Sequence, residues 1–247
     1  MSRPLSDSDH ALIASEVEKL LSKRAIVETN HLSDGFFSNL FLVPKKTGDL
    51  RPVVNLRPLN KFVRTIHFKM ESIDYVKHLL HPGEFMATID LKVVYFSIPI
   101  HPTDQKYLRL SWENSLYEFT YLPFGYKLAP RTFTKILKSV YAALRFRGIK
   151  VVFYIDDTLV IGKTAEQCSI HSQEVCEFLT PLGYKTNIAK SQLNPSKKIT
   201  FLGFVIDSES MTLSLPGSKI EKIVSHCKRL LLNSLLLFAR SPKFRVC

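Results

Sequence analysis

The sequence predicts an α+β fold in which one antiparallel sheet is covered by helices on one face. Helical and strand patterns both occur along the 247 residues, without the regular strand–helix–strand alternation of a doubly wound parallel sheet. Within residues 151–161, two runs of β-branched and aromatic residues are separated by only two positions, which is typical of an antiparallel hairpin. These two observations carry the prediction.

The predicted elements follow in chain order. An amphipathic helix spans residues 8–24, with Ser6 or Ser8 as its cap. The others are strands at 36–43 and 50–56, a short helix at 72–80, strands at 85–91, 107–112 and 117–121, a helix at 129–147, the hairpin at 151–161, a helix at 164–182 with Thr164 and Gln167 as a capping box, short strands within 199–206, and a last helix at 218–239.

Composition is typical of a globular chain with a basic surface. Hydrophobic residues make up 45% of the sequence, enough for a sizeable core. Lys and Arg number 34 against 22 Asp and Glu, a formal charge of +12, and six of these cations lie within residues 45–64. The excess favours a polyanionic partner, nucleic acid first and an anionic membrane second, while a generically basic protein remains the alternative.

Targeting and membrane signals are not recognised in the sequence. The N-terminal residues are polar and charged, and the most apolar stretch, residues 230–239, is shorter than the ~20 residues that span a bilayer. The four cysteines form no CxxC pair, which favours reduced thiols. We therefore expect an intracellular protein of the cytoplasm or nucleus, neither secreted nor transmembrane, with no membrane partner.

Two adjacent carboxylates occupy the connection of the apolar hairpin. Asp156-Asp157 suits a tight turn less well than Asn-Gly, and two like charges near buried strands repel each other. An ordinary solvated turn is the alternative, but the flanking runs are unusually apolar for one. A divalent cation would neutralise the pair, since hard cations bind carboxylate oxygens.

A third carboxylate, Asp90, ends another apolar strand 67 residues before Asp157. If the two strands are neighbours, Asp90, Asp156 and Asp157 meet at one edge of the sheet. With two Mg²⁺ ions about 3.5–4 Å apart, for which Mn²⁺ can substitute, they would form a site for phosphoryl transfer from a nucleotide to a 3′-hydroxyl.

Tyr154-Ile155-Asp156-Asp157 resembles the YxDD signature of reverse transcriptases. Further segments resemble motifs of this family and occur in its order, and their wording is most similar to LTR-type retrotransposons of the gypsy-like and DIRS-like groups. These segments are 43–46 with 50–61 (fingers), 88–92 with 95–100 (first catalytic motif), 122–125 with Ala129, Pro130 and Phe133 (beneath the nascent base pair), and 201–204 (primer grip).

The resemblance implies a right-hand polymerase with fingers and palm, an antiparallel palm sheet backed by helices, and a thumb that is only begun. The leucine-rich end of the chain adds the expectation of a truncated copy. The implied domains are an N-terminal helical extension at 1–35, fingers at 36–84, palm with a fingers insertion at 85–123, palm at 124–207 with the catalytic hairpin at 151–162 and the primer grip at 201–207, and the start of a thumb at 208–247.

The resemblance also assigns roles to individual residues. Asp90, Asp156 and Asp157 would be the catalytic residues and metal ligands. The others are Lys46 and Arg51 at the incoming triphosphate, Tyr95 as the gate beneath its sugar, Phe124 and Gly125 in the nucleotide pocket, Lys190 as proton donor to pyrophosphate, and Leu202, Gly203 and Phe204 in the primer grip. The simpler alternatives are a solvated hairpin face, a packed core tyrosine, a helix-entry turn and a solvated loop lysine.

The chain departs from the family pattern at Val93-Val94 and at residues 126–128, where small or polar residues are common. The leading hypothesis is an RNA-directed DNA polymerase that adds dNTPs to a primer on an RNA or DNA template. The alternatives are a catalytically inactive nucleic-acid-binding remnant and an RNA-dependent RNA polymerase, against which Tyr95 argues. Oligomeric state is left open.

Overall fold

The computed structural model of the protein describes residues 6–30, 34–44, 50–92 and 97–239, with side chains described as far as residue 232. Two residues to which the sequence assigns roles, Lys46 and Tyr95, lie outside the described residues, as does the Val93-Val94 departure.

Helices and strands alternate irregularly along the described chain. The helices are α1 Asp7–Ser22, α2 Arg57–Phe62, α3 Ile73–Leu79, α4 Pro102–Gln105, α5 Ala129–Phe146, α6 Ala165–Leu179 and α7 Gly217–Ala239. The strands are β1 Ile26–Glu28, β2 Phe37–Pro44, β3 Leu50–Val54, β4 Phe85–Lys92, β5 Arg109–Trp112, β6 Ser115–Phe119, β7 Lys150–Tyr154, β8 Asp157–Gly162, β9 Lys185–Thr186, β10 Gln192–Ser196, β11 Lys198–Phe201, β12 Phe204–Asp207 and β13 Thr212–Ser214.

The strands form three sheets among the described residues. The N-terminal sheet has the order β1-β6-β5-β2-β3, the central sheet β10-β4-β8-β7 with β9 also paired to β4, and the C-terminal sheet β11-β12-β13. All pairs are antiparallel except β2 with β5. The α+β class is confirmed, but the prediction of a single sheet was wrong, because β5 and β6 return to β2 instead of extending the sheet that contains β4.

The central sheet is covered on both faces. On one face, Phe133 and Tyr141 of α5 pack with Val160 of β8. On the other, Leu159 of β8 packs with Val76 of α3, and the apolar side of the C-terminal sheet completes that cluster. The sequence predicted helices on one face only, whereas α3 also packs on the other face, because the alternation of side chains along β8 supplies both cores at once.

The N-terminal sheet has a core of its own, which α1 covers. Ser6 caps this helix in a capping box with Asp9, and the buried residues Ile13, Val17 and Leu20 pack against Phe119 and its neighbours. The sequence predicted this helix and both candidate caps; the structure selects Ser6 because its hydroxyl accepts the N–H of Asp9.

The helix α7 leaves the C-terminal sheet with its side chains exposed through residue 232. Within the described ranges, none of the helices combines the length and the apolar character that crossing a bilayer requires.

Candidate active site

Asp90 and Asp157 lie directly opposite each other on neighbouring antiparallel strands. The register between β4 and β8 pairs Phe85 with Gly162 at one end and Asp90 with Asp157 at the other. Opposed residues of such a pair project from the same face, with Cβ atoms about 4.5–5.5 Å apart. Two carboxylates that are 67 positions apart in the sequence therefore share one face and one end of the central sheet.

The turn of the hairpin lies one residue earlier than the sequence suggested. Tyr154 pairs with Asp157, so the two connecting residues are Ile155 and Asp156, and Asp157 is the first residue of β8. Ile155 has φ +56°, a left-handed conformation that is unfavourable for a β-branched residue. The carbonyl of Asp156 accepts the N–H of Leu91 at 2.8 Å, which joins the turn to the end of β4.

The carboxylates at this turn are poorly accommodated as anions. Desolvation, reinforced by the charges of Asp156 and Asp90, raises the pKa of Asp157 to about 6. Desolvation and the charge of Asp90 also raise the pKa of Asp156, and Lys190 opposes both shifts. Their repulsion is the electrostatic condition that a bound cation relieves.

The carboxylate oxygens at this site suit a hard divalent cation, but they do not form a complete set of ligands. Asp90 and Asp157 present carboxylate oxygens on one face, and Asp156 follows in the turn. Across the described ranges, no three acidic, histidine or cysteine side chains are grouped closely enough to hold an ion together. Asp90 and Asp157 would thus hold an Mg²⁺ ion, with Asp156 in the adjoining turn.

A short loop brings Lys190 to the carboxylates. The backbone of Asp90 makes both connections: its carbonyl accepts the N–H of Asn187 at 2.7 Å, and its N–H donates to the Ser191 hydroxyl at 3.0 Å. That hydroxyl donates in turn to the Asn187 carbonyl at 2.8 Å. The loop is therefore fastened to the strand that carries Asp90.

A cleft of about 640 Å³ opens on the face of Asp90 and Asp157. Lys190 and the predicted primer-grip residues Leu202, Gly203 and Phe204 line the same cleft. Phe201 pairs with Phe204, so Leu202 and Gly203 form a two-residue turn, and both have positive φ, +49° and +77°. The ammonium of Lys219, on α7, donates to the Gly203 carbonyl at 2.9 Å.

Arg51, Phe124 and Gly125 line a different cavity, of about 570 Å³, beside the N-terminal sheet. The C-terminal half of α1 contributes Glu16 and Lys19 to its wall. The predicted nucleotide-binding residues are thus divided between two cavities, with Lys190 in the cleft of the aspartates and these three in the other.

The side chain of Asn60 fixes the turn that contains Gly125. Its amide nitrogen donates to the Gly125 carbonyl at 2.8 Å, and its oxygen accepts the N–H of Lys127 at 2.8 Å. Gly125 has φ +91°, which a glycine adopts without strain. Sequence reasoning assigned no role to Asn60 or to Ser191, because their partners lie 65 and 101 positions away and no local pattern marks them.

Comparison with known proteins identifies a family for this chain. The family model described as reverse transcriptase (RNA-dependent DNA polymerase) matches residues 43–206, more than half of the chain. The chain belongs to this family. The matched range includes the hairpin, the strand of Asp90 and most of the C-terminal sheet.

Relatives of the chain include retroviral and transposon polyproteins. The chain is 32% identical over 180 residues to the Gag-Pol polyprotein of gibbon ape leukemia virus and 27% identical over 173 residues to the transposon Tf2-3 polyprotein of Schizosaccharomyces pombe. These alignments include 68% and 70% of the chain but only 11% and 13% of the polyproteins. The chain thus corresponds to a small part of each relative's length.

Solved structures share the fold at lower identity. The foamy viral protease-reverse transcriptase in complex with double-stranded DNA gives a TM-score of 0.74 at 24% identity, covering 90% of this chain and 38% of that one. The same viral protein in complex with an RNA/DNA hybrid gives 0.72 at 24% identity, with 90% and 28% coverage. This likeness confirms the α+β architecture of antiparallel sheets and helices.

Proposed function

We propose that the chain is the polymerase segment of a retroelement and adds dNTPs to the 3′-hydroxyl of a primer on an RNA or DNA template. The observation that carries the proposal is the register of Asp90 opposite Asp157, in a cleft that Lys190 and residues 202–204 also line. Family membership and the basic charge of +12 support a nucleic-acid substrate.

In this proposal each group of candidate site residues has one task. Mg²⁺, bound by Asp90 and Asp157 with Asp156, would supply the positive charge that activates the 3′-hydroxyl and stabilises the phosphates. Lys190 donates a proton to the departing pyrophosphate. Residues 202–204, which line the same cleft, hold the primer strand, and Arg51 with Phe124 and Gly125, in the second cavity, receives the incoming nucleotide.

The same proposal gives the sheets their domain names. The central sheet is the palm, the N-terminal sheet belongs to the fingers, and α7 begins the thumb. The solved viral relatives bind double-stranded DNA and an RNA/DNA hybrid, which supports a duplex lying across the face of the central sheet in this chain. Lys46 and Tyr95 keep their proposed roles as triphosphate contact and sugar gate.

Primer extension on an RNA template tests this function. The wild-type chain is expected to extend the primer with dNTPs in the presence of Mg²⁺, and Asp90→Asn is expected to lower the rate by about 100- to 1,000-fold. Asp104→Asn, which alters an exposed aspartate on α4, is the matched control and should extend normally. Equal extension by wild type and Asp90→Asn would contradict the proposed site.

A second candidate function is that of an inactive nucleic-acid-binding remnant. It is favoured by the incomplete set of metal ligands, since no three described carboxylates are grouped tightly enough to hold an ion. It predicts salt-sensitive binding to a primer–template, because phosphate contacts release counterions. It also predicts no incorporation at any concentration of Mg²⁺ or Mn²⁺, so any primer-extension product eliminates it.

A further inference from the structure

The outer edge of β7 is closed by two charged side chains instead of another strand. The strand is the last in the central sheet, and its register with β8 turns the N–H of Phe153 and the carbonyl of Val151 outward. A carboxylate oxygen of Glu71 accepts that N–H at 3.0 Å. The guanidinium of Arg145 donates to that carbonyl through Nε at 3.1 Å and Nη2 at 2.9 Å.

Glu71 and Arg145 also bind each other. The Nη2 group of Arg145 is 2.7 Å from both carboxylate oxygens of Glu71, and the two side chains are only 13% and 26% exposed. Arg145 lies against the rings of Tyr75 and Phe153, at 5.5 and 5.8 Å from their centroids. Paired charges with this many partners hold a fixed geometry, because each would be costly to release.

This Glu71–Arg145 pair lies where the hairpin most needs support. Phe153 is two residues before Ile155, whose left-handed backbone persists only if its surroundings hold it there. Phe153 also stacks on Tyr141 of α5, with 4.4 Å between the ring centroids, and the Tyr141 hydroxyl is hydrogen-bonded to Thr158 on the partner strand β8, next to Asp157. Both strands are thus fixed just before the turn that carries Asp156.

We infer that Glu71 and Arg145 are positioning residues that hold the 155–156 turn so that Asp156 and Asp157 stay within reach of Asp90. They do so by binding the outer edge of β7, and neither takes part in the chemistry. The inference rests on the proposed function for its catalytic consequence, but the geometry it describes is a property of the chain itself. Ser72, the residue after Glu71, lines the cleft, so Glu71 is one residue away from its wall.

The chain offers a matched control at the other end of the same strand. Lys150, the first residue of β7, is 2.7 Å from the carboxylate of Glu84 and donates to the Leu79 carbonyl of α3 at 3.3 Å. This second pair is similarly buried, with side chains 29% and 6% exposed, but it lies away from the turn. Glu84→Ala therefore removes a comparable ion pair without touching the edge near Phe153.

The test uses the full 247-residue chain as wild type, Glu71→Ala, Glu71→Gln and Glu84→Ala. Binding of Mn²⁺ alone is measured by electron paramagnetic resonance, and exchange of the Phe153 amide hydrogen by NMR. Glu71→Ala is expected to weaken Mn²⁺ binding by about 10- to 100-fold, as loss of outer partners of metal ligands does, and to speed exchange at Phe153. Glu71→Gln keeps an acceptor for that N–H, and we expect a loss of about threefold to tenfold.

Glu84→Ala is expected to lower thermal stability but to leave Mn²⁺ affinity and Phe153 exchange as in wild type. The inference is overturned if folded Glu71 variants bind Mn²⁺ like wild type, or if Glu84→Ala weakens binding equally. Should Glu71→Ala fail to fold, Glu71→Gln decides by the same readouts. In primer extension, the Mg²⁺ concentration required for half-maximal activity should be higher for Glu71→Gln than for wild type and highest for Glu71→Ala. If the wild-type chain extends no primer, the polymerase proposal is refuted, and the Mn²⁺ binding result alone decides this inference.

Discussion

Two tight turns lie beside the same cleft, and both contain residues with positive φ. They accommodate this backbone conformation differently. The turn at 202–203 follows Phe201 and combines Leu202 with a glycine, both with positive φ, the pattern of a type I′ hairpin. The turn at 155–156 has no glycine and puts an isoleucine in the left-handed region. The 202–203 turn gains its conformation from local sequence, whereas the 155–156 turn depends on contacts with the rest of the fold.

The difference follows from what each turn carries. Glycine would relax the 155–156 turn, but it would also free Asp156 and Asp157 to move apart as their charges repel. Ile155 packs instead against the core cluster of α5 and the central sheet. Strain that surrounding structure maintains is common where side chains must be held in place for function, and the comparison predicts different consequences when each turn is altered.

The largest expected effect is on the rate of dNTP incorporation, with little change in primer–template affinity. Asp157→Asn, next to the 155–156 turn, should lower the rate of dNTP incorporation by about 100- to 1,000-fold, because a proposed charged metal ligand is lost. Its Kd for a primer–template should stay within about twofold, since the cleft keeps its shape. Single-turnover extension and fluorescence anisotropy measure the two quantities. A parallel loss of affinity would show that the two turns do not divide these tasks.

The same substitution should stabilise the protein in the absence of metal. Asp157 has a folded pKa of about 6, raised above an ordinary value of 3.8 by desolvation and by Asp156 and Asp90. Between these values the unfolded chain ionises first, so stability falls as pH rises from about 4 to about 6 and is then constant. Relative to wild type, Asp157→Asn should gain about 1–2 kcal/mol above pH 6.5.

Denaturant unfolding in EDTA at pH 4.0, 5.0, 6.0 and 7.5 measures this gain. The difference between variant and wild type should widen as pH rises through this range and shrink when Mg²⁺ is added to the wild type. A difference that is independent of pH would mean that Asp157 titrates as an exposed aspartate does.

Gly203→Ala tests the 202–203 turn. A side chain at φ +77° is strained, and its Cβ would collide with the ammonium of Lys219, so that the ammonium must leave the Gly203 carbonyl. We expect a loss of about 1 kcal/mol in the free energy of unfolding. Affinity for a primer–template should fall about fivefold, with an unchanged rate of incorporation at saturating primer.

The matched control for that variant is Gly83→Ala. Gly83 has nearly the same backbone, φ +76°, with no atom near the position of a Cβ. It should lose similar stability and keep the affinity of wild type for the primer–template. If both variants bind equally well, the 202–203 turn has no role in holding the primer.

The smallest expected effect concerns the ammonium of Lys219, which binds the 202–203 turn. Lys219→Met removes an exposed hydrogen bond to the Gly203 carbonyl and should change the free energy of unfolding by at most about 0.5 kcal/mol. Primer–template affinity should fall about threefold at low salt and less at high salt. Lys222→Met, one turn further along α7, is the control and should show a weaker effect at every salt concentration.

Local sequence was sufficient wherever a pattern repeats over several residues. The two apolar runs of the hairpin, the long amphipathic helix from Ala129, and the caps Ser6 and Thr164 were all predicted close to their observed positions. Short elements such as β1, β9, β10 and β13 were missed, because two to five residues with mixed polarity give no periodic signal. The hairpin turn was misplaced by one residue, because Asp-Asp looks like the connection and Ile155 does not.

The sequence by itself determined the class of fold, the order of its motifs, and the acidic residues at two strand ends. Tertiary structure alone decided that these strands are neighbours in a register that opposes Asp90 and Asp157, and that Arg51 and Phe124 line a separate cavity. It also decided which side chains hold the turn. Residues that meet across 60 to 100 positions, such as Glu71 with Phe153 or Asn60 with Gly125, do so because the folded backbone presents an outward N–H or carbonyl there. Hydrophobic periodicity carries no information about such groups, since they exist only once the strands have paired.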